Sequence, residues 1–358
     1  IQKTLSPEVQ FGRLSGDSFV AIIAQNGQST EKICQVILQE LSNPIEVNEH
    51  EFLLTGTASI VHYPTDGENG NDLLRTAELN LRNAKKEGGN KVKRFSDTDR
   101  SGLDQRVALE NALLEKNLTN DLYLVFQPKQ NLISQRVESL EALVRWESPD
   151  FGPQSPMKFI PIAEELGVIT SISEWILKTG LQMLEEMDRL NRQPISLAVN
   201  LSPVHIKRPD FLDDLFRLFE THQIAPGRIE FEITEGLLLE DSHKVAELLK
   251  TLRSAGFRIA LDDFGTGFSN LSYLSKYPVD TLKIDRSFIT DIHLNARNRD
   301  IVKAMIILAK AVGGVTVAEG VEVQEEYDTI KELGCDFVQG FFFSKPLRKD
   351  DLFSFLPQ

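Results

Sequence analysis

The stretch Arg258–Phe268, RIALDDFGTGF, sets two carboxylates side by side, Asp262 and Asp263, at the end of a short apolar run and ahead of two glycines. Adjacent residues on a strand point to opposite faces, so a flat sheet would separate this pair. At the mouth of a barrel the chain leaves the strand there, and both acids can turn toward one site. Carboxylates held that close repel unless positive charge stands between them. Hard divalent cations, which take oxygen ligands, commonly supply that charge. The competing explanation is an acidic turn whose aspartates cap the next helix. Company separates the two: Glu141, Asn200, Glu232, Lys283 with Asp285, Glu319 and Gln339 all fall in or just after other short apolar runs.

Those runs define the elements that must position the acids. Strands are predicted at 122–126, 140–146, 195–200, 229–233, 258–261, 281–284, 315–318 and 337–338, with helices over most of the intervening stretches, among them 172–190, 242–255 and 300–312. Strands alternating with helical crossovers over this length predict an α/β fold, a (β/α)8 TIM-like barrel. The connection over 131–137 is short and polar, with no room for a helix. The first two strands are therefore predicted to pair as a hairpin, which makes the barrel irregular. Barrel chemistry gathers at the C-terminal rim. Seven of the eight predicted strands deliver a carboxylate, an amide or a lysine to it.

Length and composition fit this reading. The chain of 358 residues is long enough for two or three domains, and 41% hydrophobic content can fill real cores. A net charge of −14 argues against a broad surface for a nucleic-acid polymer, which needs a basic stripe. It leaves room for a small anionic ligand held by local cations. Cys34 and Cys335 lie far apart, have no metal-ligand spacing and read as buried thiols of a reducing compartment. No run approaches a membrane span and no signal-peptide pattern opens the chain, so a cytoplasmic location is expected. The first residues, IQKTLSPEVQ, lack Met and read as mid-domain, which leaves room upstream for sensory or membrane segments not seen here. His205, His222, His243 and His293 have no paired spacing and read as surface residues, whereas Trp146, Trp175 and the Phe341–Phe343 run read as core or barrel wall.

The N-terminal part carries its own pattern. A hairpin is predicted over 11–24 around Ser15-Gly16-Asp17-Ser18, then a helix over 29–41, strands at 45–47 and 52–63, and a helix over 71–87 stopped by Gly88-Gly89. The hydrophilic stretch 96–102 reads as a boundary and 103–117 as a linker helix, giving domains at 1–97 and 120–358 joined by 98–119. FGRLSGDSFVAII resembles the signature hairpin of the GGDEF domain, the diguanylate cyclase family, and DLLRTAELNLRNAKKEGGNKVKRF resembles its closing helix and strand. The resemblance covers the C-terminal part of such a domain. Ser15 stands where the family has its first Gly, and Ser18 replaces the acid of its pair. The family's inhibitory RxxD motif would fall at 6–9, where neither its Arg nor its Asp stands. The resemblance therefore implies a degenerate, catalytically dead GGDEF-like domain of regulatory or structural use, with GTP as a candidate ligand.

The C-terminal part resembles the EAL domain family, cyclic di-GMP phosphodiesterases. The naming motif is Glu141-Ala142-Leu143 in EALVR, followed by VNLS (199–202), EITE (232–235), DDFGTG (262–267), LKID (282–285), AEGVE (318–322) and QGFFFSKP (339–346). The resemblance implies two ions, Mg²⁺ or Mn²⁺, which suit all-oxygen ligands. Glu141, Asn200, Glu232 and Asp262 would hold one ion, while Asp262 bridges to a second that Asp263 also binds. It further implies that Lys283 and Glu319 orient and deprotonate the attacking water, with Glu319 as general base. Gln127, Leu143, Arg145, Asp285 and Gln339 would line the substrate. Glu235 would anchor the DDFGTG loop, where Gly265 and Gly267 allow positive φ. A homodimer through the barrel is implied as well.

The expected activity is hydrolysis of cyclic di-GMP to linear pGpG in bacterial signalling. A receptor that holds cyclic di-GMP without cutting it is the alternative, although degenerate receptors of the family usually lose acids that this chain keeps. On the barrel alone, a carboxylate-metal enzyme using Lys283 as base to abstract a proton beside a carboxylate would also fit.

Overall fold

The structure is a computed structural model that describes residues 9–24, 29–47, 50–115, 118–190, 192–239, 242–265, 277 and 279–356. The chain divides into two compact units, Ile1–Asn111 and Ala112–Gln358. No helix among the described residues is long and apolar enough to cross a membrane.

In the first unit β1 (Gln10–Ser15) and β2 (Ser18–Ile22) pair antiparallel around the predicted turn, with Gly16 at φ +51° and the Arg13 guanidinium donating to its carbonyl. Helix α1 (Thr30–Leu41) leads to the pair β3 (Ile45–Val47) and β4 (His50–Phe52). The strand expected over 52–63 is two short pieces, and the second, β5 (Ala58–Ile60), pairs in parallel with β6 (Val92–Arg94). Between them runs α2 (Gly70–Lys86), capped by the Asn69 side chain, which accepts from the amides of Asn71 and Asp72. Buried Asn80 ties the helix to both strands by donating to Ser59 Oγ (2.9 Å) and the Lys93 carbonyl (3.1 Å). Helix α3 (Asp97–Leu113) starts inside the hydrophilic stretch expected to be a boundary: the stretch has no proline, and its one glycine, Gly102, weakens a helix without ending it. The expected extension of this helix to Asn117 reaches outside the described residues.

The second unit is a closed ring of eight strands. It opens with the hairpin β7 (Leu122–Asn131) and β8 (Val137–Ser148), to which the short β9 (Gly152–Gln154) adds on the outside. Helices α4 (Pro156–Glu165) and α5 (Ile169–Arg189) lead to β10 (Ser196–Asn200), which lies parallel to β8. Then β11 (Ile229–Thr234), β12 (Arg258–Phe264), β13 (Thr281–Ile284), β14 (Val315–Ala318) and β15 (Phe337–Val338) follow in parallel. β15 closes the ring antiparallel to β7, so β7 runs against both neighbours. The predicted hairpin and the irregular barrel are thus present. Side chains alternate along each strand. Leu197, Phe231, Ile233, Ile259, Leu261 and Ile284 form a buried outer row, while the register puts Glu141, Asn200, Glu232 and Asp262 on the opposite, luminal row.

Two expectations are corrected. Phe341 and Phe342 are exposed rather than barrel wall, because they sit on the turn beyond β15. His205 is buried rather than superficial and packs edge-on against Phe211. Trp146 is core, edge-on to Phe159.

That turn begins with a close approach. The Gly340 carbonyl accepts from Ser344 N and Phe343 N, and Val321 N donates to the Gln339 carbonyl. A Cβ on Gly340 would lie 2.1 Å from the Val321 carbonyl oxygen and 2.4 Å from its nitrogen, and backbone cannot yield as a side chain can. Gly340→Ala is expected to cost about 3 kcal/mol, the upper end for overpacking. The check is the urea midpoint, and an unchanged midpoint would contradict this contact.

Candidate active site

The paired acids converge by a device that differs from the expected strand end. β12 continues through Asp262 and Asp263 to Phe264, and its pairing with β13 slips between Leu261 and Phe264. Asp263 adopts φ +53°, in the left-handed region that aspartate tolerates better than most residues. Asp262 Oδ1 accepts from the Asp263 amide at 3.0 Å, bracing the irregularity. A bulge of this kind re-aims a side chain that regular alternation would turn away. Asp262, Asp263 and Glu319 accordingly offer one oxygen each within 4.8 Å of one another. Gly265, at φ +97°, follows, and its amide donates to Glu235 Oε1 at 2.9 Å. A Cβ there would press on Phe288 and Met305, so glycine is required. The part of the loop with Gly267 lies outside the described residues.

At the centre stands Lys283, its ammonium fully buried. Nζ lies 2.7 Å from Glu232 Oε2, 2.8 Å from Glu319 Oε1, 2.9 Å from Asp262 Oδ1 and 3.8 Å from Glu141 Oε2. The other oxygen of Glu232 accepts from Lys129 Nζ at 2.7 Å. Glu141 is held from two sides. Asn200 Nδ2 donates to its Oε1 (2.9 Å) and Gln339 Nε2 to its Oε2 (2.6 Å). Gln339 Nε2 also reaches Gln127 Oε1 at 3.0 Å, and Gln127 donates to the Ser344 carbonyl.

Charge is unbalanced in this cluster, with five carboxylates against Lys283 and Lys129. Burial works to raise Glu232, but the two ammoniums, by charge and hydrogen bonding, overcome it and hold the group at about 2. Glu319 goes the other way. Burial, with Asp262, Glu141 and Glu232 nearby, outweighs Lys283 and pushes it up to about 8. Burial and Glu232 raise Glu141; burial, Asp262 and Asp285 raise Asp263. Burial alone would lower Lys283, yet the surrounding acids keep it well above its ordinary value. Two ammoniums thus stand against five carboxylates, and more positive charge is wanted there. Carboxylates and the Asn200 amide are the oxygen donors that a hard divalent cation takes, and the residues fit such an ion.

Other expected site residues stand apart from the cluster. Leu143 and Arg145 continue the luminal row of β8 above Glu141, both half-buried, and Arg145 Nη1 donates to the Val144 carbonyl. Asp285 accepts from the Ser287 amide and starts the helix Arg286–Ile289. Sequence reasoning missed Lys129. It lies two residues beyond Gln127 on the same face, but the polar run after Phe126 and Pro128 read as the strand's end.

Comparison with known proteins adds a second line. The family profile described as EAL domain matches residues 107–346, and that described as diguanylate cyclase, GGDEF domain, matches 1–91. The chain is 33% identical over 358 residues to the cyclic di-GMP phosphodiesterase NbdA of Pseudomonas aeruginosa, covering 99% of this chain and 46% of that protein. It is 29% identical over 353 residues to the bifunctional diguanylate cyclase/cyclic di-GMP phosphodiesterase MucR of the same organism, covering 98% and 52%. The chain spans about half the length of these curated relatives. Among solved structures it resembles the PaMucR phosphodiesterase in its c-di-GMP complex (TM-score 0.64, 32% identity, 69% of this chain and 99% of that one). It also resembles the EAL enzyme Bd1971 in its cAMP- and cyclic-di-GMP-bound form (TM-score 0.68, 33% identity, 80% and 75%).

The electrostatics yield a pH dependence for the protein in chelator. Glu319 keeps its proton to about 8 when folded and releases it near 4.5 when unfolded, so stability falls as pH rises through that window. Buried His205, held down to about 4 from 6.5, gives the opposite slope at the acid end. From 6.5 to about 8 the histidine contribution is complete, and Glu319, with Glu141 raised in the same direction, sets the slope. There the thermal midpoint is expected to fall with pH, and Glu319→Gln is expected to flatten the fall. A flat wild-type profile would contradict the assignment.

Proposed function

The chain belongs to the EAL domain family, and on that premise we propose that its barrel hydrolyses cyclic di-GMP to linear pGpG in bacterial signalling, assisted by two Mg²⁺ or Mn²⁺ ions. The observation that carries the proposal is the group of acids around Lys283, all within 3.8 Å of its ammonium, beside the Asp262–Asp263–Glu319 trio. Glu141, Asn200, Glu232 and Asp262 would hold one ion, and Asp262 with Asp263 the second. When bound, such ions neutralise phosphoryl oxygens and lower the pKa of water.

The rest of the work falls to the chain itself. Glu319 Oε1 takes the proton of the attacking water; a general base performs best with a pKa near the working pH, and added positive charge nearby brings Glu319 down from about 8 toward that range. Lys283 Nζ, already on Glu319 Oε1, orients that carboxylate. Gln339 and Asn200 fix the rotamer of Glu141. Arg145 presents a planar donor fork from the rim, suited to a phosphate or a guanine edge. Gln127, Leu143, Asp285 and Gln339 complete the substrate wall, and Glu235 anchors the loop after Asp263 through Gly265.

In the N-terminal unit Ser15 and Ser18 leave Asp17 alone on the hairpin turn. We read this part as inactive in cyclisation and regulatory or structural, with GTP as its candidate ligand. We place the domains at 1–97 and 120–358 with 98–119 between them, the homodimer through the barrel, and the protein in the cytoplasm.

Purified protein with Mn²⁺ is expected to convert cyclic di-GMP to pGpG. Glu319→Gln is expected to lower kcat by about 10²–10⁴-fold while cyclic di-GMP still binds. Chromatography of the products and calorimetric titration check both. Tight binding without turnover in any divalent metal would leave the receptor reading instead.

A further inference from the structure

The opposite end of the barrel holds a second concavity. The strand starts Ser139, Ser196, Glu230, Thr281 and Phe337 surround a cavity of about 800 Å³, at the N-terminal mouth. In barrels of this type that face ordinarily serves stability alone. Here the volume falls in the range of small-molecule sites, about 300–1,000 Å³.

Its walls carry four cationic residues against two acids, Glu138 and Glu230, in a chain of net charge −14. Arg136, Arg228 and Arg258 line it, with Lys129 deeper in. The register pairs Arg258 with Glu230 and sets it on the same luminal row as Asp262, at the other end of the strand. Arg228 is fixed by the Ile195 carbonyl (3.0 Å) and by Asp188, while its Nη2 has no hydrogen-bond partner. Among the described residues, the guanidiniums of Arg136 and Arg258 have no carboxylate partner. The acids of the cavity are engaged: Glu138 accepts from Asn131 and Ser134, and Glu230 from Thr281 and Lys129. The acceptors are spoken for, and the exposed guanidiniums of Arg136 and Arg258 are open, whereas Arg228 is held by Ile195 and Asp188. Guanidinium forks match phosphate oxygens in pairs, and a bare phosphate would leave most of the space unfilled.

We propose that this basal cavity binds a phosphorylated small molecule of sugar-phosphate to nucleotide size, its phosphate held by Arg136 and Arg258. Lys129 joins the two ends of the barrel. It lines this cavity, and its Nζ lies 2.7 Å from Glu232 Oε1. A ligand that draws on Lys129 or Glu230 therefore shifts the partner of a rim carboxylate. This link rests on the reading of Glu232 as a cation ligand; the binding itself does not.

The test titrates the whole chain calorimetrically, in chelator, with ribose 5-phosphate and 5′-AMP. At least one is expected to bind saturably. Arg136→Ala and Arg258→Ala, both exposed and harmless to the core, are expected to weaken it about tenfold each, with thermal midpoints unchanged. Arg145→Ala at the rim is expected to leave it alone. The proposal is overturned if neither compound binds, or if Arg136→Ala and Arg258→Ala leave the binding unchanged. Mn²⁺ titration with and without the bound compound tests the link, since coupling must be reciprocal. Unaltered Mn²⁺ affinity removes the link, whereas no Mn²⁺ binding at all removes the catalytic reading and leaves the basal site standing.

Discussion

The whole design turns on the cost of confining like charges in a dry place. Glu141, Glu232, Asp262 and Glu319 come from four stretches far apart in sequence, with the ammonium of Lys283 among them and that of Lys129 on Glu232. Removing such charges from water costs several kcal/mol per ion, and partial pairing does not return all of it. A chain left to itself would spread these acids over its surface. The barrel prevents that because each acid sits on the inner row of a strand whose outer row is buried hydrocarbon. Turning one acid out would turn Ile, Leu or Phe neighbours into water.

Irregularities in the ring then aim the groups. The reversed direction of β7 puts Gln127 opposite Glu141 and Lys129 below it, so one strand serves both an acceptor for Gln339 and a counter-charge for Glu232. The slip in β12 supplies the second aspartate. These departures from an ideal barrel fall where the chemistry is, and the regular strands around them hold them in place.

Much of this was legible in the sequence because the parallel strands are short and end sharply. The runs over 281–284, 315–318 and 337–338 have the same limits in the structure, each a compact apolar stretch followed at once by polar residues. Lys283, Glu319 and Gln339 could therefore be counted as rim residues. Lys129 could not, since an antiparallel strand crossed by a proline carries no apolar signal over its second half. The bulge at Asp263 escaped as well: the letters DD fit a strand end equally well, and only pairing across to β13 reveals the slip. His205 read as surface because a lone histidine's burial is decided by a tertiary partner, here Phe211. Arg136 and Arg228 stand just before strands and Arg258 begins one, and closure of the ring gathers them.

The central claim is that the acid cluster is a seat for two divalent cations. Diffraction from crystals grown in Mn²⁺, read at the manganese edge, tests it most directly. Two anomalous peaks are predicted, one among Glu141, Asn200, Glu232 and Asp262 and one between Asp262 and Asp263. Saturating Mn²⁺ with no peak at the rim, and Lys283 still bridging Glu232, Asp262 and Glu319, would contradict the account.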